Sequence, residues 1–360
     1  MFLKKGASLL AIVVLGIMVI AGCRTPEFEG GIVHLNAGRF DAAIKDFEIA
    51  LQSDPNNSEI YLYLAKAYAN KKDFAQANTE LNTAQEKDTT GKYAQKIAGA
   101  REEIWYKVYN DFALVEFEQK NFAKALEYFQ LCTQLDPSKK ESFFGTGATC
   151  TLLAQNKNVE AAGLEEQMKN PELTAEQIDQ LKSQISALDE EIKKLHLLAV
   201  DMYEAALAKD PENLDYLTDL SSAYLDAGML DKAAVLLEKL VTKNPDNPDI
   251  FYKVARSNHL AISTDPENAS LHLQKAKEYY QKTVDLDPTY SDAIYYLGTL
   301  YMDNDLDYAN AVKCFEDYVK IVPEDKVAWA RLAQCYGKLG EKEKAIEAAK
   351  KLDELEKAGK

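Results

Sequence analysis

Residue types that carry enzymatic or metal chemistry are scattered along this sequence of 360 residues. The four histidines do not cluster with one another or with cysteine at metal-site spacing, and there is no H-E-x-x-H motif. A phosphate loop of the form G-x-x-x-x-G-K and a G-x-S-x-G nucleophile elbow are also missing. We therefore predict that the chain is not an enzyme and holds neither a metal nor a cofactor. The histidines are His34, His196, His259 and His272.

Asp303, Asp305 and Asp307 have the one-three-five spacing that opens a calcium-binding loop. Tyr308 stands in place of the loop glycine, and Cys314 stands where a bidentate glutamate would be needed. A solvated turn between two helices is the alternative explanation of these aspartates. Since two essential positions of the calcium loop are wrong, the sequence favours the turn.

The N-terminus has the pattern of an export signal. Lys4 and Lys5 precede an apolar run over residues 7–20, and the segment Ile20-Ala21-Gly22-Cys23 follows it. This resembles the bacterial lipobox, in which small residues precede a cysteine that is acylated. The resemblance implies that residues 1–22 are a signal peptide and that Cys23 carries the membrane anchor; an uncleaved membrane helix is the alternative.

Arg24 follows the candidate acylated cysteine. By resemblance to lipoprotein sorting in proteobacteria, a residue other than Asp at this position implies the outer membrane, on its periplasmic face, if the organism has two membranes. The chain has 42 Lys and Arg residues against 58 Asp and Glu, a net charge of −16. Such an acidic protein is repelled by nucleic acid, so basic or neutral proteins are the expected partners.

Four further cysteines lie within the body of the chain. Cys132 and Cys150 fall on consecutive predicted helices, as do Cys314 and Cys335. Each pair could form a disulfide in an exported protein. The four are too sparse for a disulfide framework, so we favour small buried thiols.

One motif recurs along the whole chain. Ala43 is followed by Phe47 four residues later, by Ala50 after three more and by Pro55 after five more. Steps of three and four place the first three residues on one face of a helix, and a proline cannot continue that helix. Further copies begin at Ala125, Ala199, Ala233, Ala276 and Ala311; a weaker copy begins at Ala77, and the last is Ala345, Ala349 and Leu352.

A second motif alternates with the first. Trp329, Leu332, Ala333 and Tyr336 match the pattern W-x2-L-G/A-x2-Y, and similar sets surround Leu64, Leu220 and Leu297. The two alternating motifs resemble the tetratricopeptide repeat, from Cys23 to Lys360. Membership implies an all-α solenoid, a right-handed superhelix of about eight helix pairs. Gly147, within Gly145-Thr146-Gly147, occupies the small-residue position of this motif, so packing explains that glycine.

Repeat spacing locates the departures from the family period of 34 residues. About 14 extra residues near positions 92–103 lengthen or add a helix, and nine extra residues lie around positions 263–272. The largest excess, about 40 residues, falls between Pro137 and Pro211. We therefore predict repeat units 1–3 and the first helix of unit 4 in residues 23–155, an insertion in residues 156–195, and the second helix of unit 4, units 5–8 and a capping helix in residues 196–360.

The insertion has the pattern of a projecting antiparallel helical hairpin. Its second arm carries apolar residues at heptad spacing, and Thr174 with Gln177 reads as a capping box. The first arm has a weaker apolar stripe that leads to a turn at Asn170-Pro171. The two arms either pack only on each other or also bind a partner or a second copy. The heptad residues are Ile178, Leu181, Ile185, Leu188, Ile192 and Leu195; those of the weaker stripe are Leu152, Leu153, Val159, Leu164 and Met168.

The family resemblance implies that the first helix of each pair lines a concave groove that binds a peptide or helix. The sequence lacks the Lys/Asn/Arg set with which some relatives hold a C-terminal carboxylate, and Arg256 alone could anchor an acidic group. We predict a lipid-anchored scaffold for envelope proteins, in outer-membrane, pilus, secretion or cell-wall assembly; the alternative is a receptor for a glycan or peptide ligand. The predicted groove residues are Asn110, Leu114, Phe117, Phe144, Tyr252, Arg256, Tyr295 and Thr299.

Overall fold

The computed structural model of the protein describes residues 24–358, and all regular structure within that range is helical. Residues 1–22 and Cys23, on which the predicted signal peptide and acylation depend, lie outside the described residues. Between residues 24 and 358, no helix has the length and apolar character needed to cross a membrane.

The chain divides into two compact units, at Ser142 and Phe143. In the first unit, consecutive helices form three pairs joined by short turns. The third pair begins with one long helical segment, because the turn Val108–Ala113 is π-helical and continues directly from α5 into α6. The pairs are α1 (Pro26–Asn36) with α2 (Phe40–Ser53), α3 (Ser58–Asn70) with α4 (Phe74–Lys87), and α5 (Ala94–Lys107) plus α6 (Leu114–Glu118) with α7 (Phe122–Leu135).

The second unit contains five more pairs, so the described range holds eight in all and the predicted number is confirmed. Its first pair is much the longest, and its third pair has a 3-10 turn at Pro266–Asn268 between its helices. The pairs are α8 (Lys140–Met168) with α9 (Ala175–Lys209), α10 (Leu214–Asp226) with α11 (Leu230–Lys243), α12 (Pro248–Thr264) with α13 (Ala269–Leu286), α14 (Ser291–Asp303) with α15 (Tyr308–Ile321), and α16 (Lys326–Leu339) with α17 (Lys342–Ala358).

The recurring motif forms the core of both units. Ala43, Phe47 and Ala50 are fully buried, and the matching residues of the later copies are buried as well. The last copy was wrong by one residue, because Ala349 is exposed and Ala348 is buried in its place. On α17 the inner face is therefore centred on Ala348, which packs with the core residues of α15 and α16.

Glycine at the small-residue position lets two helices approach closely. A Cβ atom added to Gly147 would lie 3.0 Å from the ring of Tyr203, so packing accounts for this glycine as predicted. A Cβ atom added to Gly298 would lie 2.9 Å from the Cβ atom of Cys314. Neither position has room for a larger side chain without movement of its neighbour.

The predicted hairpin is the outer part of α8 and α9. Thr174 and Gln177 form the predicted capping box, in which each side chain accepts a hydrogen bond from the other residue's backbone amide. In the seam, Leu188 and Ile192 are buried against Ala154 and Ala161. The assignment of Val159 to this stripe was wrong, since the residue is 73% exposed. The inner face of α8 follows the seven-residue step from Ala154 to Ala161, and Val159 lies off that line.

The two shorter insertions relative to the 34-residue repeat also lengthen helices. Of the residues near positions 92–103, those from Ala94 onwards belong to the continuous helical segment that runs from α5 into α6. The residues near positions 263–272 extend α12 to 17 residues and α13 to 18, whereas α10 and α11 have 13 and 14. The extra turns of α12 and α13 shape the largest cleft described below.

Candidate partner-binding surfaces

The predicted groove residues of the first unit make hydrogen bonds and packing contacts with other residues of the same unit. Asn110 lies in the π-helical turn, and its side-chain amide donates a hydrogen bond to the carbonyl oxygen of Tyr106 at 3.0 Å. Leu114 and Phe117, on α6, pack against the core cluster that contains Phe129. All three groove candidates are half-buried, so they contribute to packing between helices as well as to the surface.

Phe144 and Tyr252 have a similar position in the second unit. The ring of Phe144 stacks on that of Tyr216, with 4.8 Å between ring centroids. Tyr252 packs beside Tyr290 at 4.9 Å and Tyr280 at 5.9 Å. Burial raises the pKa of the Tyr252 hydroxyl well above its usual range, so this residue is neutral throughout physiological pH.

Tyr295 and Thr299 lie one turn apart on α14. Tyr295 contacts Tyr318 and Phe315 at ring-centroid distances of 5.0 and 5.8 Å, and Arg331 lies over its ring at 5.9 Å. The Thr299 hydroxyl donates a hydrogen bond to the carbonyl oxygen of Tyr295 at 3.0 Å. This part of the surface therefore combines an aromatic ring with a guanidinium group.

Arg256 is not an unpaired cation. Its Nη2 atom donates a hydrogen bond to Oδ1 of Asp226, on the first helix of the preceding pair, at 2.8 Å. Arg331 repeats this arrangement two helix pairs further along the unit, because its Nη1 atom lies 2.9 Å from Oδ2 of Asp303. The two pairs link α12 to α10 and α16 to α14.

We call the surface formed by these helices the first-helix face; it carries Asp226, Tyr252, Arg256, Tyr295, Tyr296, Thr299, Asp303 and Arg331. Tyr296 is its most open aromatic residue, with 36% of its surface exposed. Burial also raises the pKa of the nearby Asp219 carboxyl, which lies close to Asp215 and Asp249. The face therefore offers aromatic rings, hydrogen-bonding groups and arginines whose charge is balanced by aspartates.

Sequence reasoning missed Tyr296, Arg331 and the ion pairs between successive first helices. Arg256 and Asp226 are 30 residues apart, and Arg331 and Asp303 are 28 residues apart. Both separations are slightly shorter than one repeat. A search for opposite charges about one repeat apart would have found these pairs.

A second type of surface lies between the second helices of neighbouring pairs. One cleft of about 760 Å³ lies between α11 and α13, above α12. Clefts of about 480 and 710 Å³ lie at the corresponding places between α13 and α15 and between α15 and α17. Volumes of this size accommodate a ligand or a short segment of a partner.

The aspartates with calcium-loop spacing each have another role. Asp303 pairs with Arg331, Asp305 pairs with Lys277, and Asp307 accepts a hydrogen bond from the backbone amide of Asn310 at the start of α15. In residues 24–358, no group of three His, Cys, Asp or Glu side chains is placed to hold a metal ion.

The four described cysteines are free thiols. Burial raises the pKa values of Cys132 and Cys150 to about 12 and that of Cys335 to about 11. A thiol with such a pKa is protonated at neutral pH and is a poor nucleophile. Cys314 is half-buried, and burial raises its pKa to about 12 as well.

Comparison with protein families gives one consistent result. Three family models, each described as "Tetratricopeptide repeat", match this chain. Together they cover more than half of it. The first matches residues 34–99 and 197–256, the second residues 106–139 and 327–358, and the third residues 292–325.

Curated relatives match over part of their length. A peroxisomal targeting signal receptor from Candida albicans is 25% identical over 156 residues, which cover 42% of this chain and 25% of the relative. The Hsp70-Hsp90 organizing protein 3 of Arabidopsis thaliana is 25% identical over 186 residues, covering 44% and 33%. The chain thus spans a quarter to a third of the length of these relatives.

Two solved structures are similar over about half of this chain. The crystal structure of MamA has a TM-score of 0.40 and 24% identity, and the match covers 48% of this chain and 94% of MamA. A thermophilic TPR protein from Thermus thermophilus has a TM-score of 0.37 and 19% identity, with 48% and 88% covered.

Proposed function

The chain belongs to the tetratricopeptide repeat family, and on that premise we propose that it is a scaffold that binds partner proteins at the bacterial cell envelope. Binding takes place on the first-helix face, and an acyl chain on Cys23 tethers the protein to the membrane. The pathway it serves is outer-membrane, pilus, secretion or cell-wall assembly.

The observation that carries the binding role is the repeated pairing along the first-helix face. Arg256 and Arg331 each bridge to an aspartate on the preceding first helix, and both lie among half-exposed tyrosines. A row of fixed charges and rings suits an extended peptide or a helix that contacts several pairs at once. The names of the relatives, a targeting signal receptor and an organizing protein, support a role in protein binding.

The partner is basic or neutral on its contact surface. The whole chain is strongly acidic, and the arginines of the first-helix face are already neutralised by aspartates. Opposite charge on the partner raises the rate of encounter and disfavours acidic competitors. The same charge argument disfavours nucleic acid as a partner.

Site-specific photo-crosslinking in the native cell tests the binding role. A photoreactive residue at Tyr296 should yield a discrete protein adduct. The same residue at Leu306, which is 63% exposed in the turn before α15, is the matched control and should yield none. Equal adducts from both positions, or none from either, would remove the first-helix face as the binding surface.

The lipid anchor is tested by metabolic labelling with a clickable fatty acid. The variant Cys23→Ala should lose the label and accumulate as a precursor that retains residues 1–22. Labelling that survives the substitution would show that the N-terminal sequence is not a lipoprotein signal. This result would leave the protein-binding proposal intact, since the two experiments read different parts of the chain.

A further inference from the structure

We call the cleft of about 760 Å³ between α11 and α13 the α11–α13 cleft. It and the first-helix face involve different sides of helix α12. Its floor is formed by Val254, Ser257 and Ala261, whereas Tyr252 and Arg256 belong to the first-helix face. Because side chains 100° apart along a helix point in different directions, the two surfaces use different faces of α12. A ligand in the cleft therefore does not need to displace one on the first-helix face.

The extra turns of α12 and α13 build one end of the cleft. His272, near the start of α13, lies between two residues of the α12 side: its Nδ1 atom is 3.2 Å from Oδ1 of Asn258, and its Nε2 atom is 3.2 Å from Oδ2 of Asp265. Asn258 is itself oriented by donating to the carbonyl oxygen of Val254 at 2.9 Å. These contacts hold the lengthened helices together where they extend beyond their neighbours.

Ser257 contributes a polar group to the floor of the cleft. Only 7% of its surface is exposed, and among the described residues no group forms a hydrogen bond with its hydroxyl. Thr283, on α13, is buried too, but its hydroxyl donates to the carbonyl oxygen of Tyr279 at 2.9 Å. The hydroxyl of Ser257 borders the open cleft, so it is available to pair with a polar group of a ligand.

Unpaired charges of opposite sign line the two walls of the cleft. Asp231 and Glu238 line the α11 wall, whereas Lys275 lines the α13 wall. Asp265 also lines the cleft, but it is paired with His272. Asp231, Glu238 and Lys275 are in no ion pair with any described residue. Between these walls lie the apolar side chains of Leu237, Val241, Val254 and Ala261.

We propose that the α11–α13 cleft binds a short amphipathic helix of a partner protein. Its apolar stripe contacts the floor, a basic edge faces Asp231 and Glu238, an acidic edge faces Lys275, and a polar side chain pairs with Ser257. This inference rests on the proposed protein-binding function, but it does not depend on the lipid anchor or on the first-helix face.

The volume of the cleft and the backbone hydrogen bonding of its walls both favour a helix as the ligand. A helix is about 10 Å across with its side chains, so a volume of about 760 Å³ holds roughly two helical turns. The walls are themselves helices, whose backbone donors and acceptors are used internally, so a strand cannot be added to them. A helix seated between α11 and α13 would pack on its neighbours as the helices of the solenoid do.

The test selects 14-residue peptides from a displayed random library on the protein lacking residues 1–23. Binders are counter-selected against the variant Ser257→Leu, whose larger side chain fills the floor. Enriched peptides should carry apolar residues at steps of three and four, with basic and acidic residues on opposite edges. A melting curve for Ser257→Leu close to that of the parent shows that the variant folds.

Variants that reverse a charge on the exposed walls give a second test, which does not depend on a substitution in the buried floor of the cleft. Glu238→Lys and Lys275→Glu should each weaken the selected peptides about tenfold in fluorescence anisotropy, because a wall charge then repels the facing edge. Glu324→Lys makes the same charge change in the turn before α16 and should leave the affinity unchanged.

Three results would overturn the proposal. They are the absence of enriched peptides, peptides that bind Ser257→Leu as tightly as the parent, and equal effects of the wall variants and Glu324→Lys. Concentration-dependent dimerisation that Ser257→Leu abolishes would also overturn it, since the occupant would then be a second copy of the chain. The photo-crosslinked adducts from a photoreactive residue at position 296 would still form in each case. Failure of the cleft proposal can therefore be distinguished from failure of the proposed function.

Discussion

Replacing Gly31 by alanine tests how closely α1 approaches α2. A Cβ atom at position 31 would lie 2.4 and 2.6 Å from two ring atoms of Phe47, much closer than any van der Waals contact. The Phe47 ring is fully buried and is itself contacted by Phe28 and Tyr63, at ring-centroid distances of 5.8 and 5.9 Å. It therefore cannot rotate away without disturbing the core cluster that α1, α2 and α3 share.

The expected cost follows from two opposing effects. Overpacking a core costs about 1–3 kcal/mol, and the very short contact places Gly31→Ala at the upper end of that range. Alanine regains about 1 kcal/mol in helix propensity, so the net loss is about 2 kcal/mol. Gly99→Ala is the matched control: it lies on α5 of the same unit, has no atom within 4 Å of the added Cβ, and should gain up to about 1 kcal/mol.

The assay is urea unfolding of the protein without residues 1–23, combined with hydrogen exchange of the amides in α1 and α2. The second measurement is needed because a repeat array can unfold in parts. We expect the two glycine variants to shift stability in opposite directions, with the loss for Gly31→Ala concentrated in α1 and α2. A Gly31→Ala protein as stable as the parent would refute the close approach of these helices.

Three further predictions concern the second unit. Arg256→Glu places a carboxylate beside Asp226 and should cost about 1 kcal/mol in urea unfolding, and the added change Asp226→Arg should restore most of it; a double variant no more stable than the single one would contradict the pairing. Burial lowers the pKa of His259, so below about pH 6.5 the unfolded chain takes up a proton that the folded chain does not. Stability should therefore fall as the pH drops below that value, and His259→Phe should reduce the fall; an unchanged pH profile would show that this residue is not its source. Deleting residues 159–195 with a short turn in their place should remove only the helicity of those residues from the circular dichroism spectrum, and a wider loss would mean that the hairpin supports the rest of the unit.

The sequence predicted the repeated part of the fold closely, because each helix pair satisfies the same local rules. Small and aromatic residues at steps of three and four must face a neighbouring helix, as Ala43 and Phe47 do. The prediction of which residues are buried was wrong where the neighbouring helix is missing or incomplete. Ala348 replaces Ala349 at the end of the array, and Val159 faces outwards on an arm that has a single partner.

The candidate surfaces were harder to predict, since they depend on which side chains of neighbouring pairs meet. Sequence position alone indicated that Arg256 faces the groove, but its pairing with Asp226 depends on the distance between α10 and α12. One end of the α11–α13 cleft is formed by extra turns whose spacing was visible in the sequence, whereas the position of the Ser257 hydroxyl in its floor could not be inferred from spacing.

Gentle crosslinking in the native cell, followed by purification through a C-terminal tag and mass spectrometry, tests the central claim most directly. We predict one stoichiometric envelope protein that is retained by the parent chain and lost when Tyr296 and Arg331, on the first-helix face, are replaced by alanine and glutamate. Recovery of a glycan or a free peptide with no protein partner would contradict the scaffold and indicate a ligand receptor instead.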